Sequence, residues 1–128
     1  MPKVAAIFDW YGITDVVDIL DGKNKLGSAV EWLGKATDRE DLARRVSPLT
    51  YVRPGLPPIF IVHGDSDPTV PYSHSVRLYD ALKKAQVPTQ FITVPGGVHG
   101  QFPPSERLRI YAAIREFLVK NGLPAYNQ

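Results

Sequence analysis

The chain contains no cysteine, which excludes disulfides and thiolate metal sites. Its three histidines, at 63, 74 and 99, match no local zinc motif. No apolar run approaches the roughly 18 residues of a membrane span, and the first residues do not form a charged-then-apolar signal peptide. A cytoplasmic protein without a membrane span is the default expectation. The 15 basic residues are spread among 13 acidic ones with no basic block, so nothing argues for a nucleic-acid or anionic-membrane partner. The phosphate-cradling patterns G-x-G-x-x-G and the P-loop are also missing. No cofactor is expected.

What is present fits one domain, residues 1–128, with a modest core. Twelve prolines and ten glycines are spread along the chain and punctuate short elements. VAAIFDW at 4–10 is an apolar run without alternation, expected as a strand covered on both faces. DVVDIL and GSAVEWL, within 11–36, suggest short helical stretches. Thr37, Asp38, Arg39 and Glu40 fit a capping box opening a helix that must end before Pro48. IFIV at 59–62 is a second strand and TQFITV at 89–94 a third. Residues 73–86 form the clearest helix, with Ser73 as N-cap and Val76, Tyr79, Leu82 and Ala85 or Gln86 on the apolar side. A last helix over 105–120 buries Leu108, Tyr111, Ala112, Phe117 and Leu118, and Asn121-Gly122 stops it.

Strands alternating with helices imply right-handed crossovers, hence an α/β parallel sheet in a three-layer α/β/α arrangement. The first strand, between Val4 and Trp10, would be an apolar edge. An uncovered apolar edge invites pairing, either with a missing part of the protein or with another copy of the chain.

Sites in open parallel sheets form at the carboxyl ends of the strands. The second strand ends in HGDSDPTVP, at 63–71, and the third in PGGVHGQFPP, at 95–104. An acid after one strand and a histidine after the next can meet above the sheet. A carboxylate that holds an imidazole in one tautomer is the orienting half of a nucleophilic triad. Gly96, Gly97 and Gly100 let the chain turn sharply around His99.

HG-x-x-D-x-x-VP here resembles the acid loop of α/β-hydrolase esterases and prolyl-oligopeptidase-type peptidases, and VPGGVHGQF is similar to their histidine loop. FDWYGITD at 8–15 and SPLTYV at 47–52 resemble the stretch after the nucleophile elbow in bacterial carboxylesterases and lipases. The resemblance covers nearly the whole chain but only the C-terminal part of that fold, its last three strands and their helices. It implies a serine hydrolase acting on small-molecule esters, with Asp67 as triad acid and His99 as triad histidine. It needs no metal or cofactor. A serine peptidase is the alternative, as is a catalytically dead chain that self-associates through its first strand.

The departure concerns the nucleophile. The family places its serine in G-x-S-x-G at a strand-to-helix turn. The nearest match, Gly64-Asp65-Ser66-Asp67-Pro68, ends in proline and overlaps the acid loop, so Ser66 is a decoy. Ser28, Ser47, Ser73, Ser75 and Ser105 have no elbow context. The isolated chain is therefore expected to be inactive, with the serine and oxyanion hole lying outside it. Asp65 is expected to hold the loop, His63 to be a satisfied core or supporting residue, and His74 to lie on a solvated helix face. Trp10, Tyr11 and Trp32 are expected in the core or lining a pocket.

Overall fold

In the computed structural model, residues 3–35 and 37–124 are described. Three strands, β1 (Ile7–Trp10), β2 (Ile59–Gly64) and β3 (Thr89–Val94), form one parallel sheet in the order β1-β2-β3. The helices are α1 (Gly27–Leu33), α2 (Arg39–Arg45), α3 (Ser73–Lys84) and α4 (Pro104–Lys120).

β2 is central, and all six of its residues are buried. A continuous apolar run with no polar alternation is what such a position requires. Its alternate residues feed two cores. Phe60 and Val62 pack with Ile92, Val94, Phe102 and the α4 residues Ile110 and Phe117. Ile59 and Ile61 face the other way, against Leu78 and Leu82 of α3 and Val87. Helices therefore cover both faces of the sheet, giving the three layers. Each fully buried aliphatic or aromatic side chain contributes roughly 1.5–3 kcal/mol.

The long connection from β1 to β2 has its own small core of Val16, Ile19, Leu20, Ala29, Leu33 and Ala43. The expected capping box does not form. Asp38 occupies the N-cap of α2 with no side-chain cap bond, and Glu40 pairs with Arg44 one turn along. Ser73 is the first helical residue of α3 rather than its cap.

The first strand is shorter than residues 4–10. Ile7 N–H donates to Pro58 O at 2.9 Å. Before that point Pro57 and Pro58 bring no N–H groups, so the ladder cannot extend. Nor is the strand covered on both faces: Ile7 and Phe8 are 39% and 37% exposed, and β1 is the sheet edge.

Of the expected apolar side of α3, Leu82 is buried and Tyr79 packs half-buried on the same core, but the remaining buried positions are His74, Ser75 and Leu78. On α4, Ile110 and Phe117 are buried, whereas Leu108 and Tyr111 are exposed. Tyr111 lies against the Trp10 ring, with centroids 6.1 Å apart, so this side of α4 reaches the end of β1. The expected stop of α4 is present: Gly122 has φ 73° and Leu123 N–H closes on Leu118 O at 2.9 Å.

Candidate active site

The loops after β2 and β3 are joined at their bases. Asp65 N–H donates to Val94 O at 3.2 Å and Ser66 N–H to Gly97 O at 3.1 Å. The Asp65 carboxylate accepts from Gly96 N–H at 2.7 Å, which is the loop-holding task expected of it. Ser66 is exposed, and its hydroxyl donates to Asp65 at 3.2 Å.

This joint brings Asp67 to His99, 32 residues apart in sequence, with Oδ2 accepting from Nδ1 at 2.9 Å. The other oxygen of Asp67 accepts from Thr69 N–H at 2.7 Å and Val70 N–H at 2.9 Å. Burial works to raise the Asp67 carboxyl. The hydrogen bonds from Val70, His99 and Thr69 outweigh it and hold the group below the usual carboxylate range. Asp67 is thus held as a carboxylate, and a carboxylate can only accept. His99 Nδ1 therefore carries the proton, and in the neutral ring Nε2 is left as a base. The Asp67 side chain is fully shielded, whereas that of His99 is 37% exposed.

Tyr11 follows β1 and packs on His99, with ring centroids 4.6 Å apart at 62°. Its φ of 47° is left-handed, a costly conformation for a bulky residue. Three strand ends therefore meet around one imidazole. Trp10 and Tyr11 also pack on the core that contains Phe102, while Trp32 is 68% exposed and belongs to no core.

His63 is fully buried beneath the acid loop. Its Nδ1 lies 2.6 Å from Ser75 Oγ, and its Nε2 lies 3.1 Å from Val70 O and 3.2 Å from Asp67 Oδ2. His74 is not on a solvated face. It is fully buried, with Nδ1 accepting from Thr14 N–H at 3.1 Å and Nε2 donating to Asp18 at 3.0 Å. Arg77, one turn along α3, pairs with Asp15 at 2.7 Å. Together they tie residues 14–18 to α3. Helical spacing alone gave no sign of this, because the partners lie some sixty positions upstream.

Asp9 stands apart from these contacts. Its Oδ1 accepts from Gly12 N–H at 2.9 Å, and its buried Oδ2 has no partner among the described residues. Burial pushes this carboxyl up, against the pull of the Gly12 hydrogen bond and of the nearby His63 and His74. Among the described residues no group of three or more metal-binding side chains converges.

A parallel sheet between two helical layers, with an acid and a histidine joined above adjacent strand ends, is the arrangement of the α/β-hydrolase fold. Residues 1–82 match the BD-FAE family model, and the chain belongs to that esterase-like family. It is 28% identical over 121 residues to esterase LipQ of Mycobacterium tuberculosis, an alignment covering 90% of this chain and 29% of LipQ. Among solved structures, the apo form of Thermogutta terrifontis esterase 2 superposes with a TM-score of 0.73 at 27% identity, covering 98% of this chain and 45% of that one. A truncated form of a carbohydrate esterase from gut microbiota gives 0.72 at 30% identity, covering 89% of this chain and 42% of that one. The chain thus spans less than half the length of these relatives. No helix among the described residues is long and apolar enough to cross a membrane.

Proposed function

We propose that this chain supplies the acid and base of a serine esterase, as the C-terminal part of an α/β-hydrolase catalytic domain. The observation that carries the proposal is the 2.9 Å bond from His99 Nδ1 to a shielded Asp67 carboxylate. His99 Nε2 takes the proton from a serine hydroxyl as the serine attacks an ester carbonyl, and then passes it to the leaving alcohol. Asp67 fixes the tautomer and stabilises the imidazolium that forms. Water releases the acyl group by the same steps in reverse.

The serine and the oxyanion hole come from a second segment. G-x-S-x-G is absent from residues 1–128, and Ser66, the nearest match, is committed to Asp65. The open edge of β1 is the seat for that segment. A groove of about 380 Å³ runs along this edge, lined by apolar side chains that include Ile7, Ile13, Leu56 and Leu78, with Asp9 at its wall. A strand laid against β1 would cover this groove and the exposed Phe8.

The test is a chromogenic short-chain ester assay. Residues 1–128 are assayed alone, and then with the complementary half of Thermogutta terrifontis esterase 2 added as a separate polypeptide. Turnover is expected only from the mixture, and His99→Ala abolishes it. Robust turnover by the isolated chain, or a mixture indifferent to His99→Ala, would overturn the proposal.

A further inference from the structure

A buried histidine is a poor choice for packing alone, since an apolar residue fills the same space without polar atoms to satisfy. His63 is one of the largest fully buried side chains, and both of its nitrogens are engaged. The Val70 carbonyl and the Asp67 carboxylate can only accept, so Nε2 carries the ring proton. In the neutral ring, Nδ1 then accepts from the Ser75 hydroxyl on α3. Edge-on packing of Tyr72, with centroids 5.8 Å away at 84°, walls the ring in place, and Tyr72 is itself tied to Thr93 of β3 through a 2.6 Å hydroxyl contact.

The partners of this ring converge on one short loop. Val70 is held at both ends, its carbonyl by His63 and its N–H by Asp67 Oδ1. Asp67 Oδ2 stands between two imidazoles, 3.2 Å from His63 Nε2 and 2.9 Å from His99 Nδ1. The His63 N–H is directed at Val70 O, with the carboxylate beside it. The ring thus fixes the loop that aims the carboxylate and places a positive N–H dipole against the same oxygen that holds His99. His63 also pulls on the buried Asp9 carboxyl, against the effect of burial.

We infer that His63 is a positioning residue for the acid–histidine pair: anchored by Ser75, it sets the Asp67 loop from beneath and thereby the direction of Oδ2 toward His99. The inference rests on the esterase proposal only in calling Asp67 a triad acid. Its geometry belongs to this chain alone, so it is tested without substrate.

Residues 1–128, labelled with ¹³C and ¹⁵N, are followed by NMR through a pH titration of the Asp67 carboxyl and the His99 ring nitrogens. The wild type is compared with His63→Phe, His63→Gln and Ser75→Ala, and urea unfolding is recorded for each. In His63→Phe, the Asp67 titration is expected to move to higher pH, and the His99 ring shifts to depart from those of the wild type. His63→Gln keeps an N–H donor at the same reach and is expected to return both signals toward wild type. Ser75→Ala is expected to move them in the same direction as His63→Phe, by less.

A folded His63→Phe with unchanged Asp67 and His99 signals would overturn the inference. So would a His63→Gln that behaves like His63→Phe. If His63→Phe does not fold, Ser75→Ala decides, and an unmoved Asp67 titration there counts against it. The esterase proposal fails separately, in the two-polypeptide ester assay, and failure there would leave the coupling of His63 to Asp67 standing.

Discussion

Gly64 and Gly97 touch. A methyl group added at Gly64 would sit 2.1 Å from the Gly97 carbonyl oxygen, and that oxygen accepts the Ser66 N–H. The acid loop and the histidine loop meet through this backbone contact before any side chain is involved. Glycine at 64 is therefore a requirement of the Asp67–His99 approach, since any Cβ would force the two loops apart.

Gly64→Ala is expected to destabilise the chain by about 2 kcal/mol, the usual scale for forcing atoms into a packed site. Urea unfolding would show this as a lower midpoint with an unchanged slope. The His99 Nδ1 proton signal should weaken or shift in the same variant, because the loops separate where the pair is held. A midpoint equal to wild type would mean that the backbone relaxes freely, and that the contact does not set the geometry.

How much of this was legible in the sequence depended on how local the cause was. HGDSDPTVP and the glycines around His99 are short-range patterns, and they led directly to the 2.9 Å pair. β3 was readable to the residue, as was the Asn121-Gly122 stop of α4. The misread parts depend on distant partners. His74 and Ser75 are polar, so counting apolar positions put them outside the buried side of α3, yet hydrogen bonds from Thr14 and to His63 hold them inside. Thr37 and Glu40 have the letters of a capping box, but Glu40 is engaged by Arg44. Leu108 and Tyr111 are apolar enough to suggest a core position, yet both are exposed, and Tyr111 lies against the Trp10 ring at the end of β1.

Acid should loosen this chain first through His74. Burial lowers the proton affinity of its ring; the hydrogen bond to Asp18 opposes this, and the charge of Arg77 adds to it. Protonation would also break the bond that Nδ1 accepts from Thr14. The folded state therefore binds this proton less tightly than the unfolded chain, whose ordinary value is 6.5. The stabilisation is complete above that value and is lost as pH falls through the lower folded one.

Asp67 and Asp15 act with the same sign in a more acidic window. Both are held below their ordinary 3.8, so their contribution disappears as pH falls through those lower values. Asp9 has the opposite sign. Its raised carboxyl weakens the fold as pH climbs from 3.8 through the higher folded value. His74→Asn is expected to flatten the rise of stability with pH just below 6.5, as measured by urea midpoints across pH. An unaltered slope would place the acid sensitivity elsewhere.

The β1 edge gives an expectation for the chain on its own. Phe8 is 37% exposed beside Ile7, and the outer side of the strand has no partner among the described residues. Such edges pair with whatever strand is offered. Residues 1–128 are expected to associate with concentration in gel filtration, and Phe8→Lys should shift them toward monomer. Addition of the complementary half of a relative should compete with this association. A wild-type chain that elutes as a clean monomer at micromolar concentration would remove the edge as a docking surface.

The last expectation concerns the pair itself in the assembled two-polypeptide enzyme. His99→Ala removes the solvent-facing imidazole held by the shielded acid. Asp67→Asn keeps the volume but offers His99 an amide, which can donate to Nδ1 and favour the wrong tautomer. Both should therefore reduce turnover far more than they reduce substrate binding, by on the order of 10⁴ or more in kcat. The two losses should not add in the double variant, because each residue acts through the other. Asp65→Asn is the control, because Asp65 bonds Gly96 rather than His99. It should cost stability and little turnover. If Asp65→Asn instead matched Asp67→Asn in kcat, the orienting acid would be the first carboxylate of the loop, and the roles of the two would be exchanged.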